Sequence, residues 1–144
     1  MLERGVVEAF VDRYRSTFES FDAEAISACY AFPCQVTSDG DTVTVTSVPT
    51  VEAWRPGIER ILGAYRLLGV RTATVAELRV EPVTAHVAHA VVRWALVDGT
   101  GAPVYDFTAS YTVADLGDGL RIVAIAHNET PRLLAAVARR QAGG

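Results

Sequence analysis

Three histidines, two cysteines and a few serines are the side chains of this sequence with the richest intrinsic chemistry. His86 and His89 fall on opposite faces of any strand that carries both, so they cannot share one metal ion without distortion. His127 has the parity of Arg121, Val123 and Ile125 and is expected to face outward. No metal site is therefore expected. Cys29 and Cys34 are too few for a structural zinc site, which takes four ligands, and both read as packing residues. Neither thiol, nor Ser38 or Ser110, has a base with an orienting acid at a recognisable spacing, which argues against nucleophilic catalysis. No residue set dictates a reaction. Any chemistry must come from hydrogen-bonding side chains, and the elements decide where those point.

The strongest element is a hairpin over residues 104–127. In its first arm Tyr105, Phe107, Ala109, Tyr111 and Val113 alternate with Asp106, Thr108, Ser110 and Thr112, the period of a half-buried strand. Asp115-Leu116-Gly117-Asp118-Gly119 is the turn, and residues 120–127 return. Further upstream, Val7, Phe10, Val11, Tyr14, Phe18 and Phe21 form one stripe of a helix over residues 3–21. Asp22 caps a short helix over 23–30, which Pro33 ends. Residues 34–38 and 42–47 read as two short strands around an Asp39-Gly40 turn. Thr50 caps a helix over 51–68, with Pro56-Gly57 expected to kink or split it and Gly69 to close it. Strands over 72–81 and 85–97 precede the hairpin, and Thr130-Pro131 opens a last helix to about residue 140.

Length, charge and composition narrow the class. A chain of 144 residues fits one domain, 1–144, large enough for a real core. The net charge of −4 argues against nucleic acid, and no stretch has the roughly 18 uninterrupted apolar residues of a membrane helix. Nothing at the N-terminus reads as a signal peptide, so the cytoplasm is the expected location. In the strand over 85–97 one face is Val87, His89, Val91, Arg93, Ala95 and Val97, and the other is His86, Ala88, Ala90, Val92, Trp94 and Leu96. Both are mostly apolar, so both need cover, and a homodimer packed sheet to sheet with Trp94 near the contact supplies it.

The order helix, helix, short hairpin, helix, long antiparallel strands resembles the nuclear transport factor 2-like superfamily, which includes SnoaL-like polyketide cyclases and ketosteroid isomerases. Val11-Asp12-Arg13-Tyr14 resembles the isomerase segment that carries a catalytic tyrosine. Ala28-Cys29-Tyr30-Ala31 resembles the end of the family's second helix. Gly119-Leu120-Arg121-Ile122-Val123 resembles a SnoaL-like closing strand with Leu for Trp. The resemblance implies an α+β, cone-shaped fold: a curved, mainly antiparallel sheet wrapped around N-terminal helices, plus a C-terminal helix. Its interior can be a ligand pocket. The same matching puts Ser38 where isomerases have a general base and Ala109 where they have a protonated acid. Only one of three isomerase groups remains, which argues against steroid isomerisation. The acidic and arginine groups of related epoxide hydrolases have no counterpart.

With the register that the resemblance implies, His89 and Arg93 face inward, as do Ile122, Ala124, Ala126 and Asn128. Tyr14, Tyr30, Arg93, Tyr111 and Asn128 then border an apolar space and form the candidate ligand-binding set, with Arg93 as an anchor for a carboxylate, phosphate or enolate. Each has a plainer reading. Tyr14 and Tyr30 fit as core aromatics. Arg93 fits as a partner of Glu8 or Glu59, or as a dimer-face residue in the other register. Asn128 fits as a backbone staple where the last helix begins. Two functions follow. One is a SnoaL-like small-molecule-binding protein, whose catalytic form would be an isomerase, cyclase or lyase acting on an apolar oxygenated substrate without a cofactor. The other is a non-catalytic dimeric interaction or scaffold domain, its cone filled by Phe10, Phe18, Trp54, Tyr65 and Phe107.

Overall fold

A computed structural model describes residues 1–143. Four helices, α1 (Arg4–Glu19), α2 (Ala23–Ser27), α3 (Val51–Leu68) and α4 (Glu129–Gly143), accompany six strands. The strands are β1 (Tyr30–Asp39), β2 (Val43–Val48), β3 (Val70–Pro82), β4 (Val87–Asp98), β5 (Pro103–Asp115) and β6 (Leu120–His127). They form one sheet in the order β2-β1-β6-β5-β4-β3, antiparallel except where β1 meets β6. The expected α+β architecture is present: a mixed sheet with helices packed on its inner face and a C-terminal helix.

Local chemistry explains the boundaries. Asp22 accepts from the N–H groups of Glu24 and Ala25, and Thr50 from that of Ala53, so both helices start where a capping oxygen stands. Gly69 ends α3 at φ +74°, a left-handed conformation that glycine adopts without a Cβ penalty. Pro56 neither splits nor ends α3. Its missing N–H breaks one intrahelical bond, and buried Ile58, Leu62, Tyr65 and Leu68 hold the helix against the sheet regardless. The second helix stops at Ser27, and Tyr30 opens β1. Pro33, after a cis Phe32–Pro33 bond, falls where β1 pairing with β6 skips from Tyr30 to Gln35.

The inner face of β5 carries buried Tyr105, Phe107, Ala109, Tyr111 and Val113, as its alternation predicts. In β4 the buried set is Ala88, Ala90, Val92, Trp94 and Leu96, the face opposite to the one expected. Trp94 and Leu96 bury more apolar surface than Ala95 and Val97, and the alternative would bury an arginine. Trp94 therefore lies in the core, not near an outer contact. In β6, Val113 pairs with Ile122 and Thr112 with Ala124, which leaves Val123 as a bulge. Beyond it Ile125 and His127 share the inner side with Tyr111 and Ala109, while Ala124 and Ala126 turn outward.

Candidate functional site

Between α1, α3 and the inner face of the sheet lies a cavity. Trp54, Ile58, Ile61 and Tyr65 reach it from α3 at spacings of four, three and four residues, one face of a helix. Tyr14 and Phe18 enter from α1, and Tyr30, Trp94, Phe107 and Tyr111 from the sheet. The free space is about 80 Å³. One water needs roughly 10–15 Å³ on this measure, so the space admits a small molecule or a cluster of waters.

Two hydrogen-bonded groups give the walls polarity. The Tyr14 and Tyr30 hydroxyls bond each other, and Trp94 Nε1 donates to the Tyr111 hydroxyl at 2.9 Å. The rings of Tyr14 and Tyr111 meet edge to face at 5.6 Å. Burial raises the pKa of all three tyrosines above the ordinary phenol value, so they stay neutral and act as donors. The second group centres on Glu129, the first residue of α4. Its Oε2 accepts from the Tyr65 hydroxyl at 2.5 Å and the Tyr105 hydroxyl at 2.7 Å. Burial, with only 8% of the residue exposed, raises its carboxyl pKa, and the two phenols pull the other way. The Glu129 N–H donates to His127 Nδ1 at 3.1 Å, which leaves Nε2 to carry the proton of a neutral ring. Burial lowers the pKa of His127 and reinforces that neutral form. Trp54 Nε1 is sealed from solvent and has no partner among the described residues.

Of the five residues singled out from sequence, the structure brings three together: Tyr14, Tyr30 and Tyr111 all line the cavity. Arg93 does not join them. It stands on the outer face, where Nη2 meets Asp106 at 2.9 Å and Nη1 meets Glu77 at 3.6 Å. Arg132 of α4 completes the cluster on Asp106 at 2.7 Å. A guanidinium on the inner side would lose its hydration, whereas on the outer face it stays half-exposed and pairs with Asp106 and Glu77. Asn128 is also outside the cavity. Its Oδ1 accepts from Thr108 N at 2.9 Å and pins the start of α4 to β5, the backbone-staple reading. The residue lines a separate polar groove with Asp39 and Arg132.

Glu129, His127, Trp54, Tyr65 and Tyr105 are the polar lining and carboxyl partners that sequence reasoning missed as a site. Tyr65 and Tyr105 hid among apolar stripes, and the bulge at Val123 reversed the expected direction of His127. The one available signal was His127-Asn128-Glu129, three adjacent polar residues directly after the apolar run of residues 122–126. Among the described residues no three His, Cys, Asp or Glu side chains converge as metal ligands, and no helix is long and apolar enough to cross a membrane.

Solved structures share this architecture. An NTF2-like protein with a cystatin-like fold from Novosphingobium aromaticivorans aligns with a TM-score of 0.67 at 19% identity, over 87% of this chain and 80% of its own. A protein of unknown function with a cystatin-like fold from Nostoc punctiforme aligns at 0.66 and 12%, over 88% and 90%. An NTF2-like protein of unknown function from Pseudomonas putida aligns at 0.64 and 13%, over 85% and 82%. At these identities the likeness concerns the fold alone. No curated protein matches the sequence. A family model described as NTF2-like protein (DUF6841) matches residues 3–130, nearly the whole chain, and the protein belongs to that family.

Proposed function

We propose that this protein binds a small, largely apolar molecule in the cone cavity, with Tyr14, Tyr30 and Tyr111 among the lining groups that hold it. The NTF2-like fold supports a ligand-binding domain at the level of the superfamily. The observation that carries the reading is the cavity itself, about 80 Å³ of free space lined mostly by aromatic and aliphatic side chains with the Tyr14, Tyr30 and Tyr111 phenols among them. A mainly apolar lining with a few polar groups suits an apolar oxygenated ligand. A reaction of isomerase, cyclase or lyase type belongs to this reading, with Glu129 and His127 as the groups able to move a proton.

The test uses the two tryptophans in the cavity wall. Titrating the protein with small hydrophobic carbonyl compounds, amines and alcohols should change Trp54 and Trp94 fluorescence and raise the melting temperature, since a ligand that binds only the native state stabilises it. Neither signal from any class would overturn the reading and leave the filled-cone interaction domain. A homodimer through the outer sheet face is the partner we infer for either function. Val91, Ser110 and Ala126 pair in one row across β4, β5 and β6, presenting small or β-branched side chains, with Ala126 exposed.

A further inference from the structure

We propose that the cavity selects a small organic cation, a protonated amine whose nitrogen donates to Oε1 of Glu129 within walls of aromatic rings. This rests on the reading of the cavity as a ligand site and names the class of its ligand. Glu129 is buried, and both of its donors, Tyr65 and Tyr105, fall on Oε2. Among the described residues Oε1 accepts no hydrogen bond, and no arginine or histidine nitrogen lies within ion-pair distance of the carboxyl. The basic side chains of the lining are otherwise committed. Arg15 binds Asp12 at 3.0 Å and Glu19 at 2.8 Å, and His127 uses Nδ1 as an acceptor and is neutral.

Opposing forces act on this carboxyl. Two phenol donors on one oxygen favour the carboxylate, while burial without a cation opposes it. An ammonium group at Oε1 resolves the conflict, because it supplies both the missing hydrogen bond and the missing charge. The rings of Tyr14, Phe18, Tyr30, Trp54, Trp94 and Phe107 complete the environment. Their faces carry negative potential and attract a cation, more strongly where water is excluded. An anion would meet the carboxylate and the ring faces, both repulsive. A neutral alcohol would satisfy Oε1 but leave the charge uncompensated. Arg93, the anchor expected for an acidic ligand, lies outside the cavity, so the polarity of the site is the reverse of that expectation.

Benzylamine, benzyl alcohol and benzoate share a ring and differ in charge. Calorimetric titration of the wild-type protein at neutral pH should give benzylamine an affinity about tenfold or more above that of benzyl alcohol, with no binding of benzoate. In Glu129→Gln, which keeps the shape and removes the charge, the preference for benzylamine over benzyl alcohol should vanish. If Glu129→Gln fails to fold, the wild-type series decides alone. Benzyl alcohol binding as tightly as benzylamine would overturn the cation assignment and leave the cavity reading standing. A preference that survives in Glu129→Gln would overturn the role of Glu129. No binding by any of the three compounds would overturn both readings.

Discussion

Glu129 shows how far one side chain can be read from its surroundings. Its two phenol partners come from α3 and β5, so the carboxyl ties three elements together through one oxygen. Removing the Tyr65 hydroxyl leaves a buried carboxyl with a single donor. Tyr65→Phe should therefore destabilise the fold by about 1.5–3 kcal/mol, the range for hydrogen bonds to charged groups, read as a lower urea midpoint at unchanged slope. His127 and Glu129 carry opposite pH signs. Burial holds His127 below its ordinary value of 6.5. Its stabilising contribution is present above 6.5 and is lost as pH falls through that value toward the lower native one. Glu129 is held above its ordinary 4.5, so its contribution is present below 4.5 and lost as pH rises through the raised native value. Tyr65, Tyr105, Tyr111, His127 and Arg15 are titratable and charged groups around Glu129. Urea midpoints should fall as pH drops below 6.5, and His127→Gln should flatten that fall. An unchanged slope in the variant would assign it to other groups.

At the scale of elements, periodicity located the helices and strands, and single irregularities decided what they present. The bulge at Val123 exchanges the faces of the second half of β6, bringing Ile125 and His127 to the cavity in place of Ala124 and Ala126. Nothing in Ile122-Val123-Ala124-Ile125 marks it, because every residue there tolerates either face. Pro56 taught the reverse lesson. A proline in the second turn reads as a break, yet α3 runs unbroken because four buried residues beyond it pack on the sheet. The residue is exposed, and its ring leaves the Glu52 carbonyl without the N–H it would otherwise accept. Pro56→Ala should restore that bond and raise stability by about 1–3 kcal/mol, visible as a higher melting temperature. A lower melting temperature would show that the proline fixes the direction of the first turn.

For the whole molecule, the sheet has one face committed to the core and one left open. Rows such as Val91, Ser110, Ala126 and Thr37 run across four strands of the outer face with small or β-branched side chains. The cluster of Arg93, Glu77, Asp106 and Arg132 lies to one side of these rows. Such a surface suits a second copy related by a twofold axis, which would bury the rows against each other. Ala126→Arg places a charge at the middle of that contact. Light scattering at micromolar concentration should give the mass of two chains for the wild type and of one for the variant. A wild-type monomer across that range would end the dimer reading and leave the cavity untouched.

The amino-acid sequence by itself determined the elements, their order and the fold, because 3.6- and 2-residue periodicities, Asp22, Thr50 and Gly69 are local signals. It also identified Tyr14, Tyr30 and Tyr111 as neighbours through the family resemblance. Only the tertiary structure decided which face of β4 is inside. Both faces are mostly apolar, so the choice turned on the collective burial of Val92, Trp94 and Leu96 against the cost of desolvating Arg93. That single parity, with the bulge at Val123, exchanged a cationic cavity for one whose buried acid, among the described residues, is Glu129. The sign of a site depends on which side of a sheet a side chain takes, and the energy that sets it is summed over the whole core.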